Sequence, residues 1–158
     1  MAALADADMA LEVETVLVPV DGSDAAGTAA EYAVAVAERY DADVHALFVL
    51  GDDVAQSIEE GDIDEDAIAD GHRAFLDDIR AFAADTDVPV GTSVMHGFST
   101  RRKTHHPGNV ILDCAEDVDA DFIVVPRQGR TSADPPGAVL EKVAEYVLLY
   151  ASQPVLSV

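Results

Sequence analysis

The stretch TVLVPVDGSD, residues 15–24, joins a continuous apolar run to a tight turn. Apolar and β-branched residues in unbroken succession, from Thr15 to Val20, are typical of a strand buried on both faces of a sheet. The run stops at Asp21-Gly22, where glycine permits a sharp turn, and Ser23 or Asp24 can cap a following helix. The stretch therefore predicts a strand, a turn and the start of a helix.

Small and apolar residues after this turn recur at helical spacing, which predicts an amphipathic helix packed on the strand. Further apolar runs at 44–50, 88–95, 122–125 and 154–158 alternate with helical patterns at 68–82, 110–115 and 136–151. Such alternation is typical of a parallel sheet covered by helices. We therefore predict a single five-stranded parallel sheet with four helices. The expected buried stripe of the first helix is Ala26, Ala29, Ala30, Ala33, Val34 and Ala37.

The 158 residues predict one domain, at 15–158, preceded by an N-terminal tail at 1–14. A chain of this length with 49% apolar residues can bury a core without disulfides or a structural metal. No run is long and apolar enough for a membrane span, and the first residues lack the pattern of a secretory signal. With a single cysteine, Cys114, these features predict a cytoplasmic protein without a membrane partner.

The chain is strongly acidic, with 31 Asp and Glu against 9 Lys and Arg and a net charge of -22. Lysine occurs only at Lys103 and Lys142. An acidic, lysine-poor surface suits a protein that works in molar salt, where charge repulsion is screened within about 3 Å. We therefore predict a halophilic protein, and the same charge argues against a nucleic-acid partner.

Four stretches carry a resemblance to a known family: VLVPVDGSD at 16–24, DADFIVV at 119–125, Gly129-Arg130, and VAEYVLLYASQPVLSV at 143–158. Together they resemble the universal stress protein family. The resemblance implies a Rossmann-like α/β fold of the HUP type, with strand order 3-2-1-4-5. It also implies a homodimer paired through the C-terminal strand, whose apolar edge would otherwise stay open.

Many members of this family bind ATP, and the resemblance places Asp21 at the adenine. Its phosphate loop has the pattern Gly-x-x-Gly, nine residues, then Gly-Ser or Gly-Thr. With the second glycine at Gly129, the first falls on Pro126 and the final pair on Val139-Leu140. Proline has no N–H to offer a phosphate. Matching from the C-terminal side instead puts the pair on Glu141-Lys142, which brings a carboxylate to the phosphates.

Two functions stay open at this point. The favoured one is a non-catalytic stress-response or regulatory module with a degenerate nucleotide crevice and an unidentified protein partner. The alternative is an ATP- or AMP-binding sensor, in which Gly137 and Ala138 open the last helix early and offer N–H groups to a phosphate. Asp21 is then either an adenine contact or only a partner for the first helix. The candidate nucleotide-binding residues are Asp21, Gly129, Arg130, Gly137 and Ala138.

The segment GFSTRRKTHHPGN, residues 97–109, holds three of the nine basic residues and is predicted to be an inserted loop. It is either a solvated loop or a patch for an anion or an acidic partner. His96, His105, His106 and Cys114 lack the spacing of a metal site, so no metal is predicted. Cys114 is expected to pack as a small apolar residue. We assign no catalytic residues and expect no enzymatic activity.

Overall fold

The computed structural model describes residues 12–21, 24–51, 59–61, 64–98, 107–126 and 143–158. Within these residues, strands and helices alternate and every strand pairing is parallel. The sheet order is β3-β2-β1-β4-β5, which confirms the predicted order. The elements are β1 (Thr15–Val20), α1 (Asp24–Tyr40), β2 (Asp43–Gly51), α2 (Glu65–Ala83), β3 (Val90–Phe98), α3 (Pro107–Asp117), β4 (Phe122–Val125), α4 (Val143–Tyr150) and β5 (Val155–Ser157).

The core has two layers because successive strand residues point to opposite faces of the sheet. Val16, Val18 and Val20 of β1 pack in one apolar cluster with α1 and α2. Leu17 packs in the other cluster, with α3 and α4. The whole predicted stripe of α1 is buried against the sheet, which confirms the helical reading of residues 24–40.

The third strand and third helix extend beyond their predicted ends. β3 continues to Phe98, which pairs with Gly51 of β2. α3 begins at Pro107, where proline is tolerated because the first helical N–H groups have no partner within the helix. The prediction of a loop over the whole of 97–109 is therefore wrong at both ends. The predicted helix start near Pro136 lies outside the described residues.

The last residues of the predicted N-terminal tail pack against the domain. Val13 is only 4% exposed and belongs to the apolar cluster under α1. The carbonyl oxygen of Glu14 accepts a hydrogen bond of 2.9 Å from the backbone N–H of Asp43. Residues 1–11 lie outside the described part, and the boundary at residue 15 stays a prediction.

Asp121 joins the start of β4 to the start of β1. Its Oδ2 atom accepts hydrogen bonds from the backbone N–H groups of Glu14 at 2.9 Å and Thr15 at 3.3 Å. Its own N–H donates to the carbonyl of Thr15 at 2.9 Å. These bonds lie at the amino ends of the strands, where Asp121 fixes the alignment of β4 with β1. Ligands in such folds bind at the opposite, carboxyl ends.

Apolar side chains are exposed at the end of α4, next to the edge strand β5. Leu149 is 70% exposed, and its neighbours Leu148 and Tyr150 are also exposed.

In the part of the chain that the structure describes, no helix combines the length and apolar character needed to cross a bilayer.

Gly71 lies in the exposed middle of α2, and a Cβ atom added there would meet no atom within 4 Å. Replacing Gly71 with alanine should stabilise the protein by about 1 kcal/mol, because alanine loses less backbone entropy in a helix. The melting temperature should rise by about 2–4 °C. Scanning calorimetry of the two proteins measures this difference, and a lower melting temperature for the variant would contradict it.

Candidate functional site

A crevice is expected where β1 and β4 end side by side. The chain leaves β1 into α1, which packs on one face of the sheet. It leaves β4 toward α4, which packs on the other face. In open parallel sheets, ligands bind at the carboxyl ends of two such neighbouring strands, where the connections diverge.

Asp21 and Pro126 directly follow β1 and β4, the two strands at this switch point. The recorded pairs between these strands are Val16 with Phe122 and Leu17 with Ile123. Asp21 is half-buried, whereas Pro126 is buried. The predicted adenine-side carboxylate and the start of the predicted phosphate segment therefore lie at the same end of the sheet.

The structure describes Asp21 among the predicted nucleotide-binding residues. Gly129, Arg130, Gly137 and Ala138 lie outside the described residues, as do Arg127, Asp134 and Glu141. Their prediction as a phosphate site therefore stays a prediction.

Pro126 limits what the exit of β4 can offer to a phosphate. A phosphate cradle is made of backbone N–H groups that point at the ligand. Proline has no N–H, and its ring fixes φ near −65°. The first position of the expected phosphate pattern therefore supplies no donor at the point where the chain leaves the buried end of β4.

The first turn of α3 contacts α4 through residues that the sequence did not single out. The Tyr146 hydroxyl donates a hydrogen bond to Oδ1 of Asn109. The Tyr146 ring lies against Gly108, where an added Cβ atom would come within 2.9 Å of its Cε1 atom. Gly108 was the one feature of the sequence that could have indicated a close contact here. The sequence could not show that the contact is with Tyr146, which lies far along the chain. This contact holds α3, which follows residues 99–106, against α4, which follows residues 127–142.

A second polar cluster, formed by His45, Ser93 and Cys114, lies between β2, β3 and α3. His45 Nε2 and Ser93 Oγ are 2.7 Å apart, and Ser93 Oγ is 4.0 Å from Cys114 Sγ. Cys114 is buried, as predicted. Burial is the largest influence on the pKa of its thiol and raises it. The hydrogen bond with Ser93 lowers this pKa, and the negative charge of Asp117 raises it. The thiol therefore stays protonated at neutral pH and is a poor nucleophile.

Metal ligation finds no support in the described residues. Among them, no three His, Cys, Asp or Glu side chains come together as a group that could hold a metal ion. His105, His106 and the side chain of His96 lie outside the described part of the chain.

Burial lowers the pKa of His45 and of His72, whose ring stacks on Phe48 at 4.3 Å. The unfolded chain, where histidine has a pKa near 6.5, then takes up protons before the folded chain does as the pH falls. We expect the free energy of unfolding to be highest above pH ~7 and to decrease as the pH falls through ~6.5. Urea unfolding between about pH 7.5 and pH 5.5 measures this. A double variant, His45→Gln with His72→Gln, should show a flatter pH dependence, and an unchanged slope would exclude these histidines as its cause.

Comparison with known proteins gives the family. The model of the universal stress protein family matches residues 12–158. Universal stress protein MJ0531 of Methanocaldococcus jannaschii is 32% identical in an alignment 149 residues long, and the match covers 90% of this chain and 80% of that protein.

Solved structures agree with this match. Universal stress protein UspA from Lactobacillus plantarum is 28% identical and superposes with a TM-score of 0.68, covering 93% of this chain and 98% of its own. The universal stress protein from Archaeoglobus fulgidus in complex with dAMP is 20% identical, with a TM-score of 0.58 over 93% of this chain and 98% of its own. The parallel sheet, its strand order and the match along nearly the whole sequence place this chain in the universal stress protein family.

Proposed function

We propose that this protein is a non-catalytic regulatory module of the stress response, whose switch-point crevice does not hold a nucleoside triphosphate. Pro126 carries the proposal. It stands at the buried exit of β4, where the family's pattern has a glycine, and it has no N–H to donate.

The charge of the following segment supports the same proposal. Asp134 lies within the segment, and Glu141 stands just before α4. Each added carboxylate repels a triphosphate, and the repulsion is strongest where water is excluded. A triphosphate needs several donors held together, so a missing N–H and added negative charge act in the same direction.

The lack of assigned chemistry supports a non-catalytic role. The thiol of Cys114 is buried and protonated, so it is unsuited to nucleophilic attack. Ser23 has no histidine partner in a recognisable hydrolase motif. We therefore propose that the protein acts through binding, in the cytoplasm and without nucleic acid.

A nucleoside monophosphate sensor is the second candidate, and one observation favours it. The Archaeoglobus fulgidus universal stress protein was solved in complex with dAMP, which has a single phosphate. One phosphate needs fewer donors than three, so Arg130 and the N–H groups of Gly137 and Ala138 could suffice while Asp21 contacts the base.

Thermal stability in the presence of nucleotide separates the two candidates, because a ligand that binds only the folded state raises the melting temperature. With the favoured function, neither ATP nor AMP at about 5 mM changes the melting temperature. With the second candidate, AMP raises it and Asp21→Ala abolishes the rise. Asp43→Ala, at the opposite end of the sheet, is the matched control. A rise with ATP that exceeds the rise with AMP would contradict both.

We further propose a homodimer through β5, an edge strand of the described sheet. The exposed side chains of Leu148, Leu149 and Tyr150 lie just before it in the chain, and apolar surface beside an open strand edge favours pairing with a second copy. Sedimentation should give twice the chain mass of 16.6 kDa. The N–H of Val158 donates to Val125 of β4, so by alternation along the strand the N–H of Ser157 faces the open edge. Ser157→Pro, which removes that N–H, should shift the protein to monomer, and a monomeric wild type would contradict the dimer.

The partner of such a module is proposed to be acidic. Arg101, Arg102 and Lys103 concentrate positive charge on a chain of net charge -22. Reversing the charge of Arg101 and Arg102 should then reduce partner binding.

A further inference from the structure

An open groove of about 410 Å³ lies between α1 and α2, lined by side chains of these two helices. Its volume falls within the range of small-molecule sites. It contains none of the residues assigned above to the nucleotide crevice. The groove is therefore a second place where a small ligand fits.

Aromatic and aliphatic side chains form the apolar part of the groove: Phe75, Ile79 and Phe82. Phe82 is 49% exposed, so part of its ring is accessible to a ligand in the groove. Phe75 is held by an edge contact with Phe48, with ring centroids 6.0 Å apart and planes at 80°. Because Phe48 is buried, Phe75 is already ordered, and a ligand would not need to fix it.

Three exposed carboxylates also line the groove, those of Asp24, Glu31 and Asp78. No lysine or arginine is among the described residues that line it. In the described chain, no three or more His, Cys, Asp or Glu side chains form a group that could hold a metal ion, and these carboxylates are no exception. Negative charge spread around an aromatic surface matches a bulky cation better than a small metal ion.

We propose that this groove binds an organic ammonium ion. A quaternary ammonium head carries its charge on methyl groups, so it can lie against Phe75 and Phe82 and be attracted by their rings. The carboxylates of Asp24, Glu31 and Asp78 neutralise the same charge from the rim. Potassium and sodium ions do not satisfy both surfaces, because they are hydrated and have no apolar groups to bury.

Calorimetric titration with choline chloride tests the proposal, at a constant ionic strength of about 2 M KCl so that general screening is fixed. We expect saturable binding. The uncharged isostere 3,3-dimethylbutan-1-ol should bind about tenfold or more weakly, because it lacks the charge that the rings and carboxylates attract. Absence of saturable choline binding, or equal binding of the alcohol, would overturn the proposal.

Two matched double variants locate the site. Glu31→Gln with Asp78→Asn removes two carboxylates from the groove, and Glu38→Gln with Asp77→Asn removes two exposed carboxylates of the same helices that do not line it. We expect the first pair to weaken choline binding about fivefold, as for the loss of two exposed ion pairs, and the second to change it less than about twofold.

Phe82→Leu should also weaken binding, since it keeps an apolar side chain but removes the ring. Equal weakening by both double variants would show attraction to the acidic surface as a whole, and would overturn the proposed site.

Discussion

Replacing Gly108 with alanine should destabilise the protein by about 1–3 kcal/mol, although alanine is the better helix former. The new Cβ would stand 2.7 Å from Cγ and 2.9 Å from Cε1 of Tyr146. Those atoms belong to a ring packed between α3 and α4, so the ring must move. Its movement breaks the hydrogen bond from the Tyr146 hydroxyl to Asn109. Urea or thermal unfolding measures the loss.

A second substitution shows whether the ring is the cause. In a Tyr146→Ala background the space beside Gly108 is empty, so Gly108→Ala should become neutral or stabilising. The two substitutions should therefore couple strongly in a double-mutant cycle. Gly71→Ala is the matched control, because it is the same change in another helix where the Cβ meets nothing. If Gly108→Ala raises stability as Gly71→Ala does, the α3–α4 contact described here is wrong.

Replacing Asp121 with alanine should cost about 2 kcal/mol, the usual effect of losing hydrogen bonds to a charged group. The carboxylate accepts from two successive backbone N–H groups, those of Glu14 and Thr15. The bond to Glu14 is exposed, so water can replace it, whereas the bond to Thr15 is partly buried. Most of the expected loss therefore comes from the start of β1, and the melting temperature should fall by about 4–8 °C.

Two controls separate this role from general charge effects. Asp121→Asn keeps an acceptor oxygen without the charge, so it should lose about half as much stability. Asp113→Ala removes an exposed carboxylate on α3 and should change stability by less than about 0.5 kcal/mol. A loss for Asp113→Ala as large as for Asp121→Ala would mean that net charge, not the β1–β4 connection, sets the effect.

The central strands and the first helix could be predicted from sequence because their patterns are strong. The apolar runs of β1 and β4 have apolar side chains on both faces, so both faces must be buried. The small residues of α1 recur at a spacing that places them on one helical face. The ends of β3 were less predictable, since an edge strand with exposed residues such as Thr92 and Val94 alternates weakly. Its continuation to Phe98 depends on pairing with Gly51, which is a tertiary contact.

The contacts that join distant segments could not be predicted in the same way. Asp121 meets Glu14 across 107 positions of sequence, and Tyr146 meets Asn109 across 37. His45 and Ser93 meet because β2 and β3 pair in one particular register. Sequence periodicity indicates which face of an element is buried, but not which residue it meets there. The position of Asp21 was predictable because a strand end is a local feature.

Calorimetric titration of the purified protein with ATP and magnesium, in about 2 M KCl, tests the central claim most directly. The claim is that Pro126 and the acidic segment after it leave the crevice unable to hold a triphosphate. We predict no saturable heat with ATP at millimolar concentration. Saturable ATP binding that Asp21→Ala abolishes would contradict the claim and show that the segment after Pro126 builds a working triphosphate site.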